Sequence, residues 1–412
     1  MIDAEVLVVG GGPAGSSVAT ALARAGVDVH IVDRANFPRP KPCAEYLSPQ
    51  ASRILDSMGA LERVEQSGAA LLSGIDVRAP NGKVIAGDFV ASHGFRGFRD
   101  HGLSVRRETL DAILLDCARA AGARVTEGVR VADVVRDPRG RVVGVRTTID
   151  GRPAELHARM VIGADGLRSV VARRLELAHT RRWPRRLALV THSAGVSGVG
   201  EHAEMHVEHD GYVGIADVGD GVTTVALVVP MSLANEIAGD SAAFLDRWLR
   251  ARSHLAPRFV HAEKVSPVVA TGPFASHAQR AWSAGAALVG DAADFFDPFT
   301  GEGIYAALRG GEMLAACVRE SLDAHSPADA DAPLVVYDSA RRREFGGKWI
   351  VERVIGAVIA SPPLINRAAR SLSSRKDLAD LLVGVTGDFV PATEVVGLKY
   401  LWDVFGVRLA RD

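Results

Sequence analysis

Unbroken apolar runs, alternating runs and helically spaced apolar positions succeed one another along this chain, and each kind predicts an element. Val6 to Val9 are continuously apolar and suit a buried strand, after which an Ala-rich segment reads as a helix stopped by Gly26. Val27 to Val32 return as a strand ending at Asp33, which completes a β-α-β unit. A loop with Pro38, Pro40, Pro42 and Pro49 separates it from helical text near Ala51. Residues 72–98 predict strands with a turn at Pro80-Asn81-Gly82. Leu110, Ile113, Leu114, Cys117 and Ala121 share one helical face, and Gly122 ends that helix before a strand from Ala123 to Val131. Val134 to Thr148 is hairpin-like about Pro138-Arg139-Gly140 and leads to the strand Met160-Val161-Ile162.

Alternation then dominates residues 187–270. Tyr212 to Ala216 and Val222 to Val229 predict an antiparallel hairpin across Gly219-Asp220-Gly221. Ala286 to Val289 restart the first pattern, a helix follows Gly301, and the text beyond Pro327 is mostly helical. Trp349, Ile350, Val354 and Val358 recur at helical spacing and read as core packing, and Ala328 to Ala332 as an acidic linker.

Three short segments carry the chemistry. Gly10-x-Gly12-x-x-Gly15 follows a strand and opens a helix, with Pro13 and Ala14 between the last two glycines. That context lets backbone amides and the helix dipole meet a dinucleotide pyrophosphate, while Asp33, eighteen residues past Gly15, can accept bonds from a ribose. Alone, this fingerprint serves FAD and NAD equally. The second segment is Gly163-Ala164-Asp165-Gly166 with Ser169 behind it. The third is Gly290-Asp291 followed by Pro298-Phe299-Thr300-Gly301-Glu302-Gly303.

In this order the segments resemble the FAD-binding framework of the para-hydroxybenzoate hydroxylase superfamily, which includes aromatic monooxygenases, flavin halogenases and geranylgeranyl reductases. The resemblance implies an α/β (α+β) two-domain fold: a Rossmann-like, glutathione-reductase-like FAD-binding domain, an antiparallel β-sheet substrate domain and a helical C-terminal region. The expected division is 1–71, 100–180 and 276–326 for FAD, 72–99 and 181–275 for substrate, and 327–412 for the helical region. It implies non-covalent FAD, with Asp165 and Gly166 in the second motif and Asp291 on the ribityl hydroxyls. Pro298 would shape the loop at the flavin ring. Gly301, Gly303 and Ile304 would start a helix facing N1 and O2 of the ring, where a helix N-terminus favours the reduced anion by about 0.3–2 kcal/mol. Arg106 or Arg107, the latter the candidate, would reach FAD or else stand as an exposed helix-start arginine. Val131 would meet adenine through its backbone, and Arg34 beside Asp33 would belong to the FAD site. Arg39 to Pro49 resemble a geranylgeranyl-reductase segment in which Ala44 replaces the usual glycine. There Cys43 stands either beside the flavin or as a buried inert thiol.

Composition narrows the classes further. The 412 residues are 48% hydrophobic, with 48 basic against 49 acidic side chains and a net charge of −1, so a nucleic-acid surface is not expected. Three cysteines without a C-x-x-C pair suit a reducing, cytoplasmic setting. No spanning segment is expected, and a peripheral membrane contact stays open. His202, His206 and His209 alternate across a strand-like run, so no metal site is expected. The resulting expectation is hydroxylation of a phenolic or polyketide-like ring with NAD(P)H and O2. The alternatives are reduction of prenyl double bonds, supported by Lys41-x-Cys43-x-Glu45, or halogenation. Against the alternatives, Gly211-Tyr212-Val213-Gly214-Ile215-Ala216 lacks the reductases' tryptophan, and Trp183, Trp248, Trp282, Trp349 and Trp402 include no halogenase-type pair. The flavin carries the chemistry, catalytic side chains stay unassigned, and Cys43, Tyr212 and Pro298 are the candidates.

Overall fold

Val6 and Val8 are fully buried because their strand, Ala4–Val9, runs through the middle of a sheet covered on both faces. This is a computed structural model that describes residues 2–149, 151–180, 185–274, 276–295 and 298–406. Trp183 and residues 407–412 of the expected helical region lie outside them. Ala4–Val9 pairs in parallel with Val29–Val32 on one side and Arg152–Gly163 on the other. Arg124–Thr126 and Ala286–Leu288 add further parallel strands outside these two. The expected hairpin is present as Arg130–Arg136 and Val142–Ile149, antiparallel, and Val142–Ile149 pairs in turn with the long strand Arg152–Gly163. Met160-Val161-Ile162 is the inner end of that strand.

The second sheet runs Glu263–Lys264, Arg186–Ala194, Val222–Pro230, Gly211–Asp217, His202–Glu208, Gly74–Arg78 and Val84–Asp88. All its pairings are antiparallel except His202–Glu208 with Gly74–Arg78. Strand alternation sends Leu187, Leu189, Val213, Leu227 and Val229 to one face, where helix Ser241–Arg250 covers them with Phe244, Leu245 and Trp248. Ala188, Val190, Tyr212, Ala226 and Val228 go to the other face, under C-terminal helices bearing Val351, Ile359, Ile365 and Leu381. A strand buried on both faces therefore reads as apolar almost throughout, as Val222–Pro230 does.

The C-terminal region corrects two expectations. Ala328 to Ala332 is no linker but the opening of helix Pro327–Ile359. Ser326 caps it by accepting the Asp329 N–H, with Pro327 in the first turn, so start signals override the acidic composition. Of the four helically spaced apolar residues, Trp349 and Val358 pack inward, whereas Ile350 and Val354 are exposed at 48% and 36%.

Against strand His202–Glu208 of the second sheet, His254 stacks on His206 and sits 3.6 Å from Glu208. Burial, reinforced by Arg78, His206 and nearby arginines, lowers its pKa to about 4. Between that value and about 6.5 the unfolded chain binds a proton that the folded chain refuses, so stability falls as pH drops through this window. The loss of melting temperature between about pH 7 and pH 5 should shrink in His254→Asn. An unchanged loss in thermal melts of the variant would remove His254 from the account.

Candidate functional site

Helices Pro13–Arg24 and Gly303–Leu322 lie against each other, and the Ser17 hydroxyl donates to the Leu308 carbonyl at 2.8 Å. Their packing brings both N-termini to one cavity of about 290 Å³. Gly12, Pro13 and Ala14 line it from the first helix, Gly301, Gly303 and Ile304 from the second. Neither helix start has a side-chain cap, so first-turn amides stay available to an anionic group. Cys43, Arg107, Gly166, Tyr212, Asp291 and Pro298 line the same space. Twelve predicted residues, far apart in sequence, thus meet at one place. These uncapped helix starts suit the pyrophosphate and ring of FAD.

The remaining predicted residues stand behind the lining. Asp33 is buried and accepts the N–H of Gly11 at 2.7 Å and of Ala35 at 2.8 Å, which ties the glycine turn to the end of the second strand. Asp165 accepts the Val170 N–H at 2.6 Å at the start of helix Val170–Arg174. Its other oxygen, Oδ1, is buried without a partner among the described residues, and burial raises the pKa of the carboxyl group. Gly10 and Gly15 touch backbone rather than the cavity. Val131 packs into the core of the first sheet, and Arg34 is exposed on the loop after Asp33.

Arg107 is buried rather than an exposed helix start. Its guanidinium makes two 2.8 Å bonds to Asp111, which has no exposed side-chain surface, and it also reaches the Cys43 thiol. Burial alone would favour loss of its proton, but the Asp111 carboxylate outweighs that and holds the guanidinium above its ordinary range. Arg39 reaches Asp111 as well, at 3.0 Å. Lys41 Nζ lies 3.8 Å from Asp291, with its pKa lowered first by burial and then by Arg107. Beyond these charges the walls turn apolar: Ile75, Val77, Val190, Val228, Ile355 and Leu382. Four rings stand there too, Tyr212 edge-on to Phe299 at 4.9 Å and Phe274 beside Phe295 at 5.2 Å.

Several lining residues carried no motif. Lys348, from the long C-terminal helix, contacts Asp388, and its Nζ lies 4.3 Å from the centre of the Tyr305 ring. Burial lowers its pKa, while Glu302, Glu344 and Glu352 oppose the shift; burial likewise raises that of Glu302. The signal for Lys348 was a single cation inside Phe345-Gly-Gly-Lys-Trp-Ile, visible only as an oddity. Glu45 lies within the segment Arg39 to Pro49, and its partner His192 is 147 residues away.

A family described as FAD binding domain matches residues 3–341. The digeranylgeranylglycerophospholipid reductase 2 of Methanopyrus kandleri is 29% identical over 397 residues, 94% of each chain. The geranylgeranyl diphosphate reductase of Rhodobacter capsulatus is 30% identical over 330 residues, 79% of this chain and 77% of the relative. Among solved structures, the myxobacterial chondrochloren halogenase has a TM-score of 0.79 at 22% identity, covering 99% of this chain and 98% of its own. Among the described residues no helix is long and apolar enough to cross a membrane.

Proposed function

The chain belongs to the FAD binding domain family and is an FAD-dependent oxidoreductase, and from that premise we propose that it reduces carbon–carbon double bonds in a long isoprenoid chain. One observation carries the reading: the cavity that gathers the flavin motifs continues between the second sheet and the C-terminal helices with apolar walls. A polyprenyl chain offers little but apolar surface, worth about 0.8 kcal/mol per buried methylene, and suits such walls better than a small phenol does. Gly214 lines the cavity in the run that lacks the reductases' tryptophan, which leaves room beside Tyr212. The M. kandleri relative, named as a reductase of a digeranylgeranyl lipid, adds support over nearly its whole length.

In this reading the amides after Gly12 hold the pyrophosphate, Asp33 holds a ribose and Asp291 the ribityl chain. Gly301 to Ile304, together with Cys43 and Arg107, would hold the ring. Bound FAD would supply hydride chemistry. The protein's side chains orient the substrate, exclude water and provide the proton. NAD(P)H is the proposed reductant. The segments 72–99 and 181–275 are the proposed substrate domain.

Aromatic hydroxylation is the second reading, favoured by Tyr212, Phe299, Phe274 and Phe295, whose edges and faces could hold a flat ring. The halogenase likeness, at 22% identity, speaks for the fold alone. Anaerobic mixing separates the two. Reduced holoprotein should be reoxidised by geranylgeranyl diphosphate without O2, with product mass rising by one H2 per double bond. No such reoxidation, together with phenol-accelerated reduction by NADH or NADPH and O2 uptake, would establish hydroxylation instead.

A further inference from the structure

Reducing a carbon–carbon double bond takes a hydride and a proton. Reduced FAD would supply the hydride to one carbon, so the other needs an acid that faces the substrate and is itself resupplied. Glu204 lines the cavity and bonds to His206 at 2.8 Å, yet it does not qualify. Burial would raise its pKa, but the Arg258 guanidinium, bound through both carboxylate oxygens, and His206 hold it down at about 2. Glu302 is committed to the buried cluster around Lys348.

Glu45 is different. It lines the cavity, is 2% exposed, and is held at φ +63°, a conformation uncommon outside glycine. Its Oε1 accepts the Arg107 backbone N–H at 2.8 Å, which fixes the carboxyl group. Its Oε2 lies 2.7 Å from His192 Nε2, and His192 Nδ1 lies 2.9 Å from Ser266 Oγ. The His192 backbone N–H donates to that same Oγ at 2.9 Å, which leaves the serine hydrogen able to point at Nδ1. In that arrangement the imidazole carries its proton on Nε2, pointed at the Glu45 carboxylate. Ser266 sits between exposed Val265 and Pro267, at the outer end of the line.

We propose that Ser266, His192 and Glu45 form a proton path from solvent to the substrate carbon that does not receive the hydride. The inference rests on the double-bond reading. At rest the His192 Nε2–H donates to the Glu45 carboxylate. His192 passes that proton to Oε2 as its Nδ1 takes one through Ser266 from water, and Glu45, now the acid, gives it to the substrate carbon. The other carbon takes the hydride that reduced FAD would supply, which leaves a saturated bond and oxidised cofactor. The chain of bonds links the segment before Tyr46 to the second sheet, so it forms only in the folded protein.

The test has two arms. In ligand-free protein, histidine-selective 15N spectra should show His192 as the Nε2–H tautomer, and Glu45→Gln should move that signal; an unmoved signal overturns the path. In anaerobic reoxidation of dithionite-reduced holoprotein by geranylgeranyl diphosphate, Glu45→Gln should be slower by about a hundredfold, the lower range for a lost general acid. Glu45→Asp should recover part of the rate, and free imidazole should rescue His192→Gly, neither of which a purely structural strut would do. Rates for Glu45→Gln within about threefold of wild type, far below what a general acid supplies, would overturn the path while leaving the reductase reading intact. A wild type that no prenyl chain reoxidises overturns the reading itself, and the path with it.

Discussion

Gly12→Val should fold as the parent does and emerge from purification without FAD. The three fingerprint glycines differ physically. A Cβ on Gly15 would stand 1.8 Å from the Gly10 carbonyl oxygen, and one on Gly10 would stand 2.4 Å from that of Ala164. Those two hold helix and strands together. A Cβ on Gly12 would meet only the end of Arg39, at 3.6 Å, and the rest of its surroundings is open cavity. Its φ of −76° also suits a side chain. Valine there is thus compatible with the fold but occupies the approach of a pyrophosphate to the helix amides. Flavin-to-protein absorbance should drop to background while far-ultraviolet circular dichroism is retained. The stabilisation that FAD confers would go too, about 2.7 kcal/mol if the parent is held at a hundred times its Kd. Normal flavin content in the variant would remove the first helix from the cofactor site.

Arg107→Leu should cost about 3 kcal/mol of stability, the low end for breaking a buried ion pair. Asp111 has no exposed side-chain surface, and losing its two-bond partner leaves a carboxylate held by Arg39 alone. That remaining contact is why the low end is expected. The double variant Arg107→Leu, Asp111→Leu should regain part of the loss, because the buried carboxylate is gone and only the partly exposed Arg39 loses its partner. Urea unfolding of the two single variants and the double variant measures the coupling. A cost under about 1 kcal/mol for Arg107→Leu would mean the pair behaves as an exposed one.

The β-α-β unit, the glycine fingerprint and the hairpin at 212–229 were legible because each depends on spacing within a few dozen residues. The start signal Ser326-Pro327 is equally local, but the acidic run after it reads as a linker, and the structure corrects that reading. The fate of Arg107 was not legible. One turn of helix placed it beside Asp111, but its burial depends on Cys43 and Arg39 arriving from another segment. Asp33 stands at the strand end, and its 2.7 Å bond to the Gly11 amide, which spacing alone does not reveal, ties it to the turn.

By itself the sequence determined the cofactor framework, since strand, glycine turn, helix start and carboxylate are set by local backbone requirements that admit few residues. Tertiary structure alone decided what surrounds that framework. It laid an apolar sheet face under helices from the far end of the chain, brought Lys348 to Glu302, and set His192 against Glu45 across 147 residues. Those meetings depend on how distant faces pack, and no local pattern encodes which face of one element another will cover.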